Sequence, residues 1–219
     1  VKKVLQVPYI DQTARWVNGC ESVSAVMLLQ YLGVKIDPET FIERYLPSAP
    51  FRQEQGRRLG PDPHFVYPGD PRVATGPQAG IGCYAPCICA ALEAALAANG
   101  RGAGYDVKDE SGKTAAELCE EYIDAGLPVV FWATLNFEPC EPPEEWFLEN
   151  GKKFAWVSHE HCLLLVGYDE ESFYFNDPWQ NHGLVRQPKA LVEQRHREQG
   201  MYAVGVRPKN NASFGMRNA

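Results

Sequence analysis

The order in which this chain distributes its apolar residues constrains its fold more than any motif does. Segments with helical periodicity come first, and segments of strand length come later. Residues 128–135 form an unbroken apolar run suited to a buried strand. Residues 146–148 and 153–157 flank Asn150-Gly151, a strong hairpin-turn signal. Residues 161–168 and 173–176 flank a turn at Asp169-Glu170-Glu171, and residues 201–206 read as a last strand. Strands this close in sequence pair antiparallel, so the expectation is an α+β fold on a mainly antiparallel sheet.

Four helical stretches precede most of these strands. After Cys20, apolar residues recur at Val23, Val26, Met27 and Tyr31, with Leu28, Leu29 and Leu32 beside them. Asn18 is the expected N-cap of this helix and Gly33 its stop. Asp37-Pro38 opens a short second helix carrying Phe41, Ile42, Tyr45 and Leu46. A third runs from Ala85 to about Asn99. Thr114-Ala-Ala-Glu117 is a capping box for a fourth that ends at Ala125-Gly126. Residues 188–200 form a final helix, and residues 4–10 a weak strand. Residues 47–82 are rich in Pro, Gly, Arg and Asp and read as one long functional or mobile loop. The tail from about residue 208 to 219 reads as peripheral. With 219 residues and 45% hydrophobic content there is enough material for one sizeable core, so residues 1–219 are expected to form a single domain.

A net charge of −7 without a dense Lys/Arg cluster argues against nucleic acid as a partner. The most apolar segment, residues 85–98, includes Glu93 and falls short of the ~20 residues that span a bilayer, so no membrane span is expected. Seven cysteines, an odd number without zinc-ribbon spacing, favour a reducing compartment such as the cytoplasm. No signal peptide is visible at Val1-Lys2-Lys3; had a leader been removed, the same chain would be secreted.

Cys20 lies at the N-terminal end of its helix, where unsatisfied N–H groups stabilise a thiolate. Gly19 before it permits a tight turn and leaves the sulfur uncovered. A cysteine there is either a structural thiol or a nucleophile, and the position permits both. A nucleophile needs a proton-shuttling partner and an oxyanion donor. Gln12 is a candidate donor. Among five histidines, His161 opens an apolar strand, and Asp177 closes the next one. A turn near Asp169 brings residues 161 and 177 opposite one another, where a carboxylate can orient the ring; polar residues there can equally be strand punctuation. Asp169 sits at the far end of the strand, roughly 26 Å from His161 at ~3.3 Å per residue. His64 and His182 fall in loops and His196 in a charged helix, positions expected at the surface. His159, His161 and Cys162 with Cys83, Cys87 and Cys89 lack a zinc spacing, and the clustered thiols read as small buried residues.

Val7-Pro-Tyr-Ile-Asp-Gln12, Asn18-Gly-Cys20-Glu-Ser, Met27-Leu-Leu-Gln-Tyr-Leu-Gly33 and His161-Cys-Leu-Leu-Leu-Val-Gly-Tyr-Asp169 together resemble the C39-like group of cysteine peptidases. Asp62-Pro63, Gly69-Asp-Pro71 and Gly80-Ile-Gly-Cys-Tyr84-Ala-Pro86 extend the resemblance through the middle, so it spans roughly residues 4 to 206. This bacterial group is related to the double-glycine leader peptidases that process bacteriocin precursors. The resemblance implies a papain-like fold with Cys20 as nucleophile, His161 as general base and acid, Asp177 as orienting carboxylate and Gln12 as oxyanion donor. It implies a peptide or protein substrate and no metal or organic cofactor. Trp16, Gly19, Tyr84 and Trp179 flank these residues and are candidates for the substrate cleft, or for packing. No transporter portion accompanies the chain, so a leader-peptide substrate is not assumed. Two other functions stay open: an acyltransferase or amidase passing a thioester to another acceptor, and a peptide-binding module without turnover.

Overall fold

The computed structural model describes residues 2–209. A two-residue strand β1 (Lys3–Val4) leads to α1 (Cys20–Tyr31) and α2 (Pro38–Arg44). The stretch expected to be one long loop contains four short strands: β2 (Ser48–Ala49), β3 (Arg52–Glu54), β4 (Arg57–Leu59) and β5 (Tyr67–Pro68). Next come α3 (Ala85–Ala98), β6 (Tyr105–Asp109), α4 (Ala115–Leu118) and β7 (Val129–Thr134). The chain continues through β8 (Glu144–Phe147), β9 (Lys153–Trp156), β10 (Glu160–Tyr168) and β11 (Ser172–Asp177). It closes with β12 (Gly183–Pro188), α5 (Lys189–Glu198) and β13 (Ala203–Pro208).

The main sheet runs β12-β11-β10-β7-β13-β6, antiparallel throughout. β1 adds to β10 through Lys3↔Tyr168 and Val4↔Gly167, beyond the point where β7 stops pairing. Gly167 makes that addition possible, because a Cβ there would lie 2.7 Å from Val4 Cα. β3 and β4 form a hairpin that joins β8 and β9 in a second, four-stranded sheet, with Leu59 paired to Phe147. β2 and β5 pair in parallel.

Every residue of β7 is buried, and its sequence is apolar almost throughout because helices cover both faces. Trp132 Nε1 donates to the Cys83 carbonyl just ahead of α3, while Phe131 stacks on His196 of α5 at 4.0 Å. His196, expected at the surface, is therefore fully buried, and its ring nitrogens face the carbonyls of Trp132 and Lys113. The Thr114–Glu117 capping box is present; the helix it opens passes into a π-helical turn at Cys119–Ile123. Among the described residues no helix is long and apolar enough to cross a membrane. The tail beyond residue 209 lies outside the described residues.

Candidate active site

The helix that carries Cys20 begins at Cys20 itself, with Gly19 as the N-cap. Asn18, expected in that role, is used elsewhere: its Nδ2 donates to Val73 O at 2.9 Å, and its carbonyl accepts the Tyr67 hydroxyl. Gly19 is needed for close approach, since a Cβ there would lie 3.0 Å from Trp16 Cβ and 3.1 Å from Trp16 O. Ten of the twelve residues of α1 are buried, and the helix packs on β10, where Ser24 Oγ donates to Cys162 O.

β10 and β11 bring two polar side chains together at one end of the sheet. The ladder pairs Leu164 with Asn176, so Asp177 falls opposite Leu163 and His161 lies one diagonal step further on the same face. His161 Nε2 donates to Asp177 Oδ1 at 2.7 Å, with both residues almost wholly buried. Asp177 Oδ1 also accepts the Trp179 N–H at 3.0 Å, and Oδ2 accepts His182 Nδ1 at 2.9 Å. Burial alone would raise this carboxyl; the hydrogen bonds from His161, His182 and Trp179 outweigh it and hold Asp177 below the usual carboxylate range. His182, expected at the surface, is thus tied to Asp177. Its loop is pinned at Gln180 and Asn181, which have left-handed φ of 47° and 53° and donate to Thr13 Oγ1 and Asp11 Oδ1.

That pinning joins the Asp177 turn to the segment carrying Gln12. The Gln12 N–H donates to Pro178 O at 2.9 Å, and its side-chain Nε2 donates to Val17 O at 2.9 Å. Gln12 is buried, and its Oε1 has no partner. Trp16 donates through Nε1 to Glu39 Oε2 at 2.8 Å. Trp179 is half-buried beside Asp177. Tyr84 is buried between Trp156 and Tyr202, with ring centroids at 4.7 and 4.3 Å, a packing position that leaves little surface for a substrate. A pocket of about 350 Å³ opens against Asp177 and His182, lined further by Asn136, Phe137, Val185 and Gln187.

Cys20 differs most from its sequence expectation. Its Sγ donates to Glu21 Oε2 at 3.4 Å, and no hydrogen bond joins it to His161 among the described residues. Burial, then the negative charges of Glu21 and Glu160, push its thiol well above the ordinary value. The helix terminus was expected to do the opposite; a dry site with two acids at the sulfur outweighs it. Glu21, Glu160 and His182 are the residues that sequence reasoning missed. The available signals were an acid inside a buried helix, an acid opening an apolar strand, and a histidine five residues beyond Asp177. His159 is held elsewhere, with Nδ1 at 3.2 Å from Pro139 O and Nε2 at 3.3 Å from Glu141 Oε1.

The Peptidase_C39 like family model matches residues 4–204. The uncharacterized protein YvpB of Bacillus subtilis (strain 168) is 31% identical over 165 residues, 75% of this chain; the match spans 60% of that protein's length. A crystal structure from Bacillus anthracis, provisionally described as a C39-like peptidase, superposes with a TM-score of 0.79 at 29% identity. It covers 95% of this chain and 100% of its own.

Proposed function

This chain belongs to the Peptidase_C39 like family, and from that premise we propose that it is a cysteine peptidase hydrolysing peptide amide bonds through Cys20, His161 and Asp177. The observation that carries the proposal is the buried 2.7 Å bond from His161 Nε2 to Asp177, on the strand against which the Cys20 helix packs. An ionised Asp177 can only accept, so Nε2 keeps the proton and the neutral ring presents its lone pair at Nδ1. In the proposed reaction the Cys20 proton leaves its bond to Glu21 and passes to His161 Nδ1. The thiolate adds to the substrate carbonyl while Gln12 Nε2 and the first-turn N–H groups of α1 donate to the oxyanion. His161 returns the proton to the leaving amine, and a thioester remains. Water, deprotonated at the same Nδ1, then releases the acid and regenerates the thiol. A peptide or protein is the substrate, and the pocket beside His182 receives one of its side chains.

A peptide-binding module without turnover is the second reading, favoured by a Cys20 thiol held against Glu21 rather than His161. A peptide library assayed with wild type and Cys20→Ala separates the two. Cleavage by wild type alone, with a thioester intermediate trapped on Cys20, is expected. Binding without cleavage in both proteins would leave the module. Adding amine or thiol acceptors to the trapped thioester tests whether the chain is instead an acyltransferase.

A further inference from the structure

Resting on Cys20 as the nucleophile, we propose that Glu21 and Glu160 are a proton-sharing carboxyl pair that holds the Cys20 sulfur as a thiol and sets the pH at which it becomes nucleophilic. The geometry brings three acidic groups to one dry point. One ligand atom each from Cys20, Glu21 and Glu160 lies within 4.8 Å of the other two. Glu21 Oε2 takes the thiol, and its Oε1 takes the Cys83 N–H at 2.5 Å. Glu160 is half-buried as a residue, but its Oε1 is buried and without a partner. Gly82 makes the approach possible: a Cβ there would lie 2.8 Å from both Glu21 Oε1 and Glu160 Oε2.

Neither acid has a counter-charge, since among the described residues no ion pair involves Glu21 or Glu160. The surrounding titratable groups come from three elements. β10 contributes Cys162, and His161, which is held by Asp177. The segment before α3 contributes Cys83, and β5 contributes Tyr67, whose hydroxyl donates to Asn18 O. Burial pushes Cys162, Cys83 and Tyr67 well up, so they stay protonated near neutral pH. Two carboxylates this close without a cation cannot both ionise easily, and one retains a proton. Burial pushes Glu21 up to about 7, and burial together with the neighbouring Glu21 charge holds Glu160 well above the usual carboxylate range. Ionisation of the pair as pH rises places negative charge beside the sulfur and opposes the thiolate. The arrangement also puts an acid next to each reacting residue in the chain, Cys20-Glu21 and Glu160-His161. Glu160 acts on the Cys20 sulfur through its charge, alongside Glu21.

The test is the pH profile of Cys20 alkylation by iodoacetamide, read by mass mapping, in wild type, Glu160→Gln and Glu21→Gln. Exposed Glu171→Gln serves as the control. Removing one charge while keeping the shape should move the profile to lower pH, with Cys20 labelling about tenfold faster near pH 8. Infrared difference spectra near pH 6 should show a protonated buried carboxyl in wild type that the double variant Glu21→Gln/Glu160→Gln lacks. Neither readout needs turnover, so a protein without peptidase activity can still pass, and a loss of the pair leaves peptidase activity separately measurable. Thermal melts identify a variant that fails to fold, and the infrared band of wild type then decides alone. Superimposable profiles in both variants, or no protonated carboxyl in wild type, would overturn the proposal. Zinc that protects Cys20 in wild type but not in Glu160→Gln would also overturn it, by making the cluster a cation site.

Discussion

Replacing Asp177 by Asn probes the hydrogen-bond arithmetic at the proposed triad. The carboxylate takes three donors: His161 and Trp179 N–H on Oδ1, and His182 on Oδ2. An amide keeps one oxygen and turns the other into a donor. The Trp179 N–H cannot reverse its role, so it draws the amide oxygen to its own side, the side of His161. The new NH₂ then meets His182 Nδ1, which accepts once that ring moves its proton to Nε2. His161 therefore keeps its Nε2 proton and its free Nδ1. What is lost is the charge. A charge-assisted hydrogen bond exceeds a neutral one by about 1–1.5 kcal/mol, about tenfold. The Coulomb attraction of an imidazolium at about 4 Å sets an upper limit of ~4 kcal/mol, about 10³-fold. The expected fall in kcat/KM for Asp177→Asn is thus about 10²-fold. A forced tautomer change would cost about 10⁴. Asp177→Ala should lose more than Asn, and Asp177→Asn combined with His182→Ala more than Asp177→Asn alone. The assay is cleavage of a quenched fluorescent peptide, with ¹⁵N spectra of the His161 ring reporting the tautomer independently of turnover. A loss of 10⁴ for Asp177→Asn, or a His161 proton found on Nδ1, would refute the reasoning.

Gln12→Ala should lower kcat by about 10²–10³ while leaving Cys20 alkylation nearly unchanged, since the amide is proposed to act on the oxyanion; an unchanged kcat would assign Gln12 to holding the Val17 turn. His196 is buried, and desolvation lowers its pKa despite the Trp132 and Lys113 carbonyls. Below about pH 6.5 the unfolded chain binds the proton more readily than the fold does, so its contribution is present above that pH and lost as pH falls. Urea denaturation should show a decline from pH 7 to 5 that His196→Gln lacks, and equal slopes in the two proteins would count against the buried neutral ring. Thr114→Ala removes the capping-box side chain and should cost about 1 kcal/mol in the same assay. An unaltered midpoint would mean the Glu117 half of the box suffices.

Local chemistry made much of this molecule legible. The Asn150-Gly151 turn, the Thr114–Glu117 box, the apolar run of β7 and the periodicity of α1 and α3 each state their structure within a few residues. The α+β class and the C39-like resemblance followed from segments of this kind. β12 did not announce itself because it alternates half-buried and exposed residues at the sheet edge, beside a turn rich in polar groups. β3 and β4 are short, Arg-rich and largely exposed; they pair with each other and are joined to β8 where Leu59 meets Phe147.

Burial and proton position belong to the tertiary structure alone. His196 sits in a helix of charged residues, and the approach of Phe131 with the Trp132 and Lys113 carbonyls removes it from water. His182 gains its partner when the loop is pinned across to Asp11 and Thr13. The thiol of Cys20 is the sharpest case. Its own helix terminus favours the thiolate, a property written in neighbouring residues. The removal of water, and after it the charges of Glu21 and of Glu160 brought in on β10, reverse that preference, because electrostatic energy depends on distance and on the medium between charges. Sequence order specifies neither until the chain has folded.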